Sequence, residues 1–269
     1  LQSADQEELK LLGRIHTYNQ FKENFYLARR IGFTNINVDL MSALPGQSVE
    51  SYRCTLKKVC ELEPEHISAY SLIIEDGTPF AKRYRQDAAK REAGEKPQFL
   101  PSEDEERQMY EDTAEILGTY GYQQYEISNY AKPGYMCRHN AGYWQRREYL
   151  GFGLGASSLY RELRFSNTRR MQEYLTDSGK LEQIRKEVTV LSRNEQIEEF
   201  MFLGLRMTEG ISEKLFKETF GVRIMDIYGD ILQKYEAIGF MEHIETKWCL
   251  TRKGIHVSNH ILADFLLDE

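Results

Sequence analysis

Cysteine is scarce in this chain, and none of it is clustered. The 269 residues hold four: Cys54, Cys60, Cys137 and Cys249. No CxxC and no CxxxCxxC occurs. Four scattered thiols cannot form a disulfide framework for a chain of this size, so they read as reduced cytosolic side chains. Cys54 and Cys60 lie in a helical pattern at a spacing that puts them on different faces, which excludes a shared metal. Long apolar runs are also missing, and nothing approaches the length needed to span a bilayer. Basic clusters are missing too. Lys and Arg total 35 against 42 Asp and Glu, a net charge of −7, which sets nucleic acid aside as a partner. The opening Leu1-Gln2-Ser3-Ala4-Asp5 has neither a basic nor an apolar leader region. It has no initiator Met either, so the natural N-terminus is expected to lie upstream and the chain to start partway through a domain.

What is present is globular in kind. Hydrophobic residues make up 41% and charged residues 29%, enough to bury a core. Residues 18–31 have the helical period, with Phe21, Phe25 and Ala28 on one face and Gly32 after the end. Residues 35–40 alternate Ile36, Val38 and Leu40 with Asn37 and Asp39, the pattern of a strand. After Leu44-Pro45-Gly46-Gln47, Ser48 is placed to cap a helix whose Tyr52, Leu56 and Val59 share a face. His66–Ile73 reads as a second strand. Helix, strand, helix, strand on short links is the signature of a parallel sheet. Residues 76–101 interrupt it as an exposed, part-helical excursion. Ser102 and Glu105 form a capping box for a helix carrying Tyr110, Ala114 and Leu117. Tyr125–Tyr130 is a further strand candidate.

The character changes from about residue 190, and the chain is expected to divide into segments 1–185 and 186–269. Helices are expected over 194–208, 212–220 and 224–238, then a hairpin (240–244 and 248–251), then a helix from Lys253 to the end. That order is winged-helix-like. It would serve DNA binding or simple packing, and since the hairpin and last helix are not notably basic, packing is favoured.

Some residues could carry chemistry. Asp39, a polar residue near the end of an apolar strand, suits a ribose diol or an ammonium group, or caps the next loop. Arg14 offers a fork for a carboxylate, or is an exposed loop charge. Gln2 says nothing alone. Cys137-Arg138-His139-Asn140-Ala141-Gly142-Tyr143-Trp144 gathers a thiol, an imidazole and two aromatics in a loop after Pro133-Gly134. Such a set can ligate iron and line a flat ring, or it fills a core around a turn-binding His. Gly151-Phe152-Gly153-Leu154-Gly155 fits a phosphate cradle or a close backbone approach at a bulge.

An ordered set of segments carries a resemblance: Leu1-Gln2-Ser3, Leu11-Leu12-Gly13-Arg14, Asn37-Val38-Asp39-Leu40-Met41, Leu44-Pro45-Gly46-Gln47, Pro64–Ser71, Tyr125–Tyr130 and Cys137-Arg138-His139-Asn140. Together they resemble the radical S-adenosylmethionine (SAM) proteins related to oxygen-independent coproporphyrinogen III oxidase. Within that group the chain is most similar to the HemW-type haem chaperones, since His139-Asn140 with Tyr143-Trp144 resembles their HNxxYW motif. Residues 190–269, including Glu199-Phe200-Met201-Phe202-Leu203-Gly204-Leu205-Arg206, resemble the C-terminal domain of the family.

The resemblance implies an α/β fold, the C-terminal part of a partial (β/α)6 radical-SAM barrel followed by a small, mostly helical domain. It implies a [4Fe–4S] cluster held by CxxxCxxC cysteines in the intact parent, and SAM on the cluster. By the same correspondence Gln2 lies near SAM, Arg14 pairs with its methionine carboxylate, Asp39 meets its ribose, and the backbone of Ile73 meets its adenine. His139 becomes the candidate haem contact. Ser157 stands where relatives commonly have His. The implied function is a cytosolic haem chaperone, peripheral to the membrane at most, that passes haem to an acceptor protein. The rival is an oxidase that converts porphyrinogen propionates to vinyls through a 5′-deoxyadenosyl radical.

Overall fold

The computed structural model describes residues 1–267. By internal contacts it divides into two compact units, Leu1–Cys137 and Arg138–Glu269. The expected division at 186 falls inside the second unit, where residues 185–190 form the last strand of a small sheet.

The first unit opens with α1 (Gln6–Leu11), capped by Asp5, whose carboxylate accepts the Glu7 and Glu8 amides. The sequence pattern missed this helix. Then come α2 (Tyr18–Arg30), β1 (Asn37–Ser42), α3 (Val49–Cys60), β2 (His66–Ser71), α4 (Pro79–Glu92) and α5 (Glu103–Thr119). The caps are the expected ones. Ser48 holds the Ser51 amide, and Ser102 and Glu105 form a reciprocal box. Four acidic residues in the first turn of α5 complement the helix dipole. The excursion is helical over α4 because Thr78 caps it and Pro79 starts it.

β1 and β2 pair in parallel, Asn37 opposite His66 through Ser42 opposite Ser71. Gln2 adds a parallel bridge to Leu40 on the outer edge of β1. The Tyr125–Tyr130 segment is not one strand but a hairpin, β3 (Gln123–Glu126) and β4 (Asn129–Ala131). Its turn closes because the buried Glu126 carboxylate accepts the Ser128 amide at 2.9 Å and bonds the Asn129 side chain. The sheet order is β1-β2-β4-β3, with β4 antiparallel to β2.

Leu40, Tyr52, Leu56, Val59, Ile67, Met109 and Leu117 are fully buried and form the core of this unit. Helix α5 is rotated slightly from the expected face. Met109, Thr113 and Leu117 line the core, while Tyr110 and Ala114 are only partly covered. The Thr113 hydroxyl bonds the Met109 carbonyl at 2.7 Å and the Tyr52 hydroxyl at 3.1 Å, so its polar atom is not stranded.

The second unit begins with α6 (Arg138–Trp144). An antiparallel sheet follows, β5 (Ser157–Tyr160), β6 (Leu163–Asn167) and β7 (Arg185–Val190), with α7 (Met171–Asp177) and α8 (Leu181–Ile184) between the last two strands. Then come α9 (Arg193–Gly204), β8 (Ile211–Ser212), α10 (Glu213–Phe220), α11 (Ile224–Ala237), β9 (Met241–Ile244) and β10 (Lys247–Leu250). The expected final helix is two short ones, α12 (Arg252–His256) and α13 (Ser258–Ala263), interrupted at Val257. Its last two expected residues lie outside the described residues. Met201, Phe216, Leu232, Ile261 and Phe265 are at the centre of the apolar core. The helix and hairpin order of a winged-helix-like module is therefore present.

Candidate functional site

Asp39 lies on the face of β1 that points away from the buried core. Val38 and Leu40 are buried, whereas Asn37 and Asp39 are exposed. The strand runs on to Ser42, two residues past the end its pattern implied, so Asp39 is mid-strand rather than at the C-terminal end. Its position is tightly determined all the same. The Asn37 amide donates to Asp39 Oδ1 at 2.7 Å, and Asn37 Oδ1 accepts Ser68 Oγ at 3.2 Å and lies 2.7 Å from His66 Nδ1. His66 Nε2 is 2.8 Å from the Tyr125 hydroxyl. His66 is buried. That burial lowers its pKa, against the opposing pull of the Asp39 charge, so the ring is neutral at physiological pH. Burial likewise pushes the Tyr125 phenol up.

Gln2 is joined to Asp39 through the backbone. The Gln2 amide donates to the Asp39 carbonyl and the Gln2 carbonyl accepts from Met41, both at 2.8 Å. Gln2 holds a left-handed φ of 74°, unusual for a side chain of its size. Arg14 follows α1 and is exposed. Ile73 lies two residues past β2 and is 76% exposed. Gln2 and Asp39 thus share the β1 edge, Arg14 follows α1, and Ile73 lies beyond the end of the neighbouring strand.

His139 is on a helix, α6, and not in the loop its neighbours Pro133 and Gly134 indicated. Its ring is exposed and meets Tyr143 edge-on at 4.7 Å, one helical turn on. Tyr143 in turn meets Tyr149 at 4.7 Å. Trp144 does the anchoring. The Arg206 guanidinium sits over its ring at 4.4 Å. Arg146, just after α6, bonds Glu162 and Glu199, and Glu199 on α9 also binds Arg164. The motif therefore divides into an exposed imidazole with an aromatic flank and a fixed indole beneath. An exposed His has a ring nitrogen free for iron, so the residues present fit a haem ligand.

The glycine-rich segment has a structural role. A Cβ on Gly151 would lie 2.3 Å from the Ser157 carbonyl. The Asn167 amide clasps the carbonyls of Gly151 and Gly153 at 3.2 and 2.9 Å. Close backbone approach explains Gly151, and positive φ angles of 102° and 63° explain Gly153 and Gly155, without a phosphate. Ser157 is exposed in β5, opposite Ser166. Among the described residues no three His, Cys, Asp or Glu side chains converge as a metal-ligand set.

Sequence reasoning missed one buried acid here. Glu8 on α1 accepts from Ser3 at 2.5 Å, Ser51 at 2.6 Å and Gln47 at 2.8 Å. This carboxylate ties the Gln2 segment to the Leu44–Gln47 loop. No local signal marks it, since its donors Gln47 and Ser51 lie about forty residues away in sequence.

The fold defines a class. The structure superposes on coproporphyrinogen III oxidase (HemN) from Escherichia coli, described as a radical SAM enzyme, with a TM-score of 0.76 over 99% of this chain and 62% of that one, at 21% identity. The HemN C-terminal domain matches residues 191–257. The Heme chaperone HemW of Lactococcus lactis is 35% identical over the whole chain, which spans 68% of that protein. Those of Bacillus subtilis and Escherichia coli are each 33% identical, with 68% and 67% of their lengths covered. The chain belongs to the HemW heme chaperone family.

Proposed function

We propose that this chain is the part of a HemW-type chaperone that receives haem, with His139 as the iron-side contact. One observation carries the reading. His139 is exposed on a helix with Tyr143 at its edge and Tyr149 behind, a surface that can hold a flat ring while Trp144 and Arg206 keep the helix in place. Haem added to the protein should shift its Soret band, and His139→Ala should weaken binding about tenfold or more. Unchanged affinity in the variant would remove His139 from the site.

The family implies SAM and a [4Fe–4S] cluster, which would supply electrons and a bound sulfonium. In this reading Arg14 takes the methionine carboxylate, Asp39 the ribose, the Ile73 backbone the adenine, and Gln2 lies near the bound SAM. The exposed, hydrogen-bonded carboxylate of Asp39 and the exposed guanidinium of Arg14 suit those roles. The chaperone reading is favoured over the oxidase because the relatives at 33–35% identity are heme chaperones, whereas likeness to the oxidase at 21% carries the fold alone. A haem-acceptor protein is the implied partner, and the cytoplasm the proposed location. No helix among the described residues is long and apolar enough to cross a membrane.

A further inference from the structure

The side chains behind Asp39 form a chain whose hydrogen-bond polarity can be worked out from one end. Asp39 Oδ1, an acceptor when ionised, is 2.7 Å from Asn37 Nδ2. If the Asn37 amide were turned over, two oxygens would face each other at that distance, so the NH2 group must point to Asp39. Asn37 Oδ1 then faces His66 Nδ1 at 2.7 Å and can only accept. His66 must therefore carry its proton on Nδ1, and its Nε2 must accept from the Tyr125 hydroxyl at 2.8 Å. The Tyr125 oxygen itself takes a hydrogen bond from the Cys137 backbone, which leaves its own proton free to donate. Ser68 adds a second donor to Asn37 Oδ1 at 3.2 Å. Every link has one donor and one acceptor, and the chain spans β3, β2 and β1.

We propose that Tyr125, His66 and Asn37 form a directed relay that fixes the Asp39 carboxylate for a ribose diol, making His66 and Asn37 positioning residues for a nucleoside. This rests on the ribose reading of Asp39. An exposed carboxylate on a free side chain loses rotamer freedom when it clamps two hydroxyls. One already held through Oδ1 has lost it beforehand. None of the three relay residues touches the ligand. They act through the Asp39 rotamer.

The test compares adenosine with 2′,3′-dideoxyadenosine by titration calorimetry on the 269-residue chain. The wild type should prefer the diol by about tenfold. In Asn37→Leu and His66→Leu that preference should collapse to about twofold or less. His66→Gln, whose amide offers one donor and one acceptor, should recover most of it, which a purely structural role would not require. No preference in the wild type would take the ribose from Asp39 and the relay with it. A preference that survives Asn37→Leu would leave Asp39 at the ribose and overturn the relay alone. Nitrogen-15 spectra of the unmutated protein give a check that needs no variant: His66 should show a protonated Nδ1 and an unprotonated Nε2, and the opposite tautomer would refute the direction argued here.

Discussion

Gln47 Nε2 and Glu8 Oε2 are 2.8 Å apart in the interior of the first unit, 39 residues apart in sequence. The same carboxylate holds Ser3 and Ser51, so one charge satisfies three donors from separate segments. The Gln47 side chain also accepts the Leu44 amide at 3.2 Å, closing the Leu-Pro-Gly-Gln loop on itself. Glu8→Ala strands those donors and should lower unfolding free energy by about 3 kcal/mol. Thermal unfolding of the variant measures it, and a loss within error of zero would show that the cluster is dispensable.

Asp87 plays a comparable part for the helical excursion. Burial alone would raise its pKa, but the backbone amides of Gln98, Phe99 and Leu100 all donate to it and hold it below the usual carboxylate value. A carboxyl depressed in the folded state contributes stability at neutral pH that fades as pH falls through the ordinary carboxylate range. Asp87→Asn should therefore weaken hydrogen-exchange protection of α4 near pH 7 and have progressively less effect in acid. An effect independent of pH would count against the anchoring role.

These two acids show where sequence reading stopped. Periodicity sorts residues by polarity, so it places Tyr52, Leu56 and Val59 in the core, says nothing of Glu8, and leaves Asp87 in an exposed excursion. A buried charge is visible only once its donors have folded around it. Ser48 and the Ser102–Glu105 box fixed helix starts because capping is local. The hairpin at Ile127-Ser128 was hidden because Glu126, which closes it, is chemically unremarkable inside a strand-like run. Pro133-Gly134 points to a loop at His139, but the turn they make ends before α6 begins at Arg138. Gln2, Arg14, Asp39 and Ile73 stand out as site candidates through family resemblance alone. Asn37 and His66 behind Asp39 do not, since their role depends on the β1–β2 register.

His66 gives stability a second pH dependence. Its pKa is lowered in the folded state by burial, the Asp39 charge opposing. The unfolded chain therefore binds more protons than the folded one in mildly acidic solution, and stability should rise with pH across that window. His66→Gln should flatten the slope. Denaturant melts between pH 5 and 7, a range set by the ordinary imidazole pKa of about 6.5, would show it, and an unchanged slope would assign the effect to other groups.

Two glycines should respond in opposite directions to alanine. Gly151→Ala drives a Cβ to 2.3 Å from the Ser157 carbonyl, a backbone atom that cannot swing away. It should cost about 2 kcal/mol or more. Gly142, inside α6, has only the Arg147 side chain near, at 3.8 Å. Gly142→Ala should stabilise the helix by about 0.5–1 kcal/mol. Matched thermal melts would separate the cases, and equal losses would mean that the close approach at Gly151 is not what requires glycine there.

The thiols should differ in reactivity by environment. Cys54 is exposed and Cys137 is half-buried, while Cys60 and Cys249 are buried. Burial raises the Cys60 pKa to about 12, a little offset by Lys132, so almost none of it is thiolate at neutral pH. Iodoacetamide followed by peptide mass analysis should modify Cys54 first, then Cys137, and leave Cys60 intact until the protein unfolds. Burial also raises the pKa of Cys249, which should place it with Cys60. Early labelling of Cys60 in the folded protein would mean that the core beside Val59 opens far more readily than its complete burial implies.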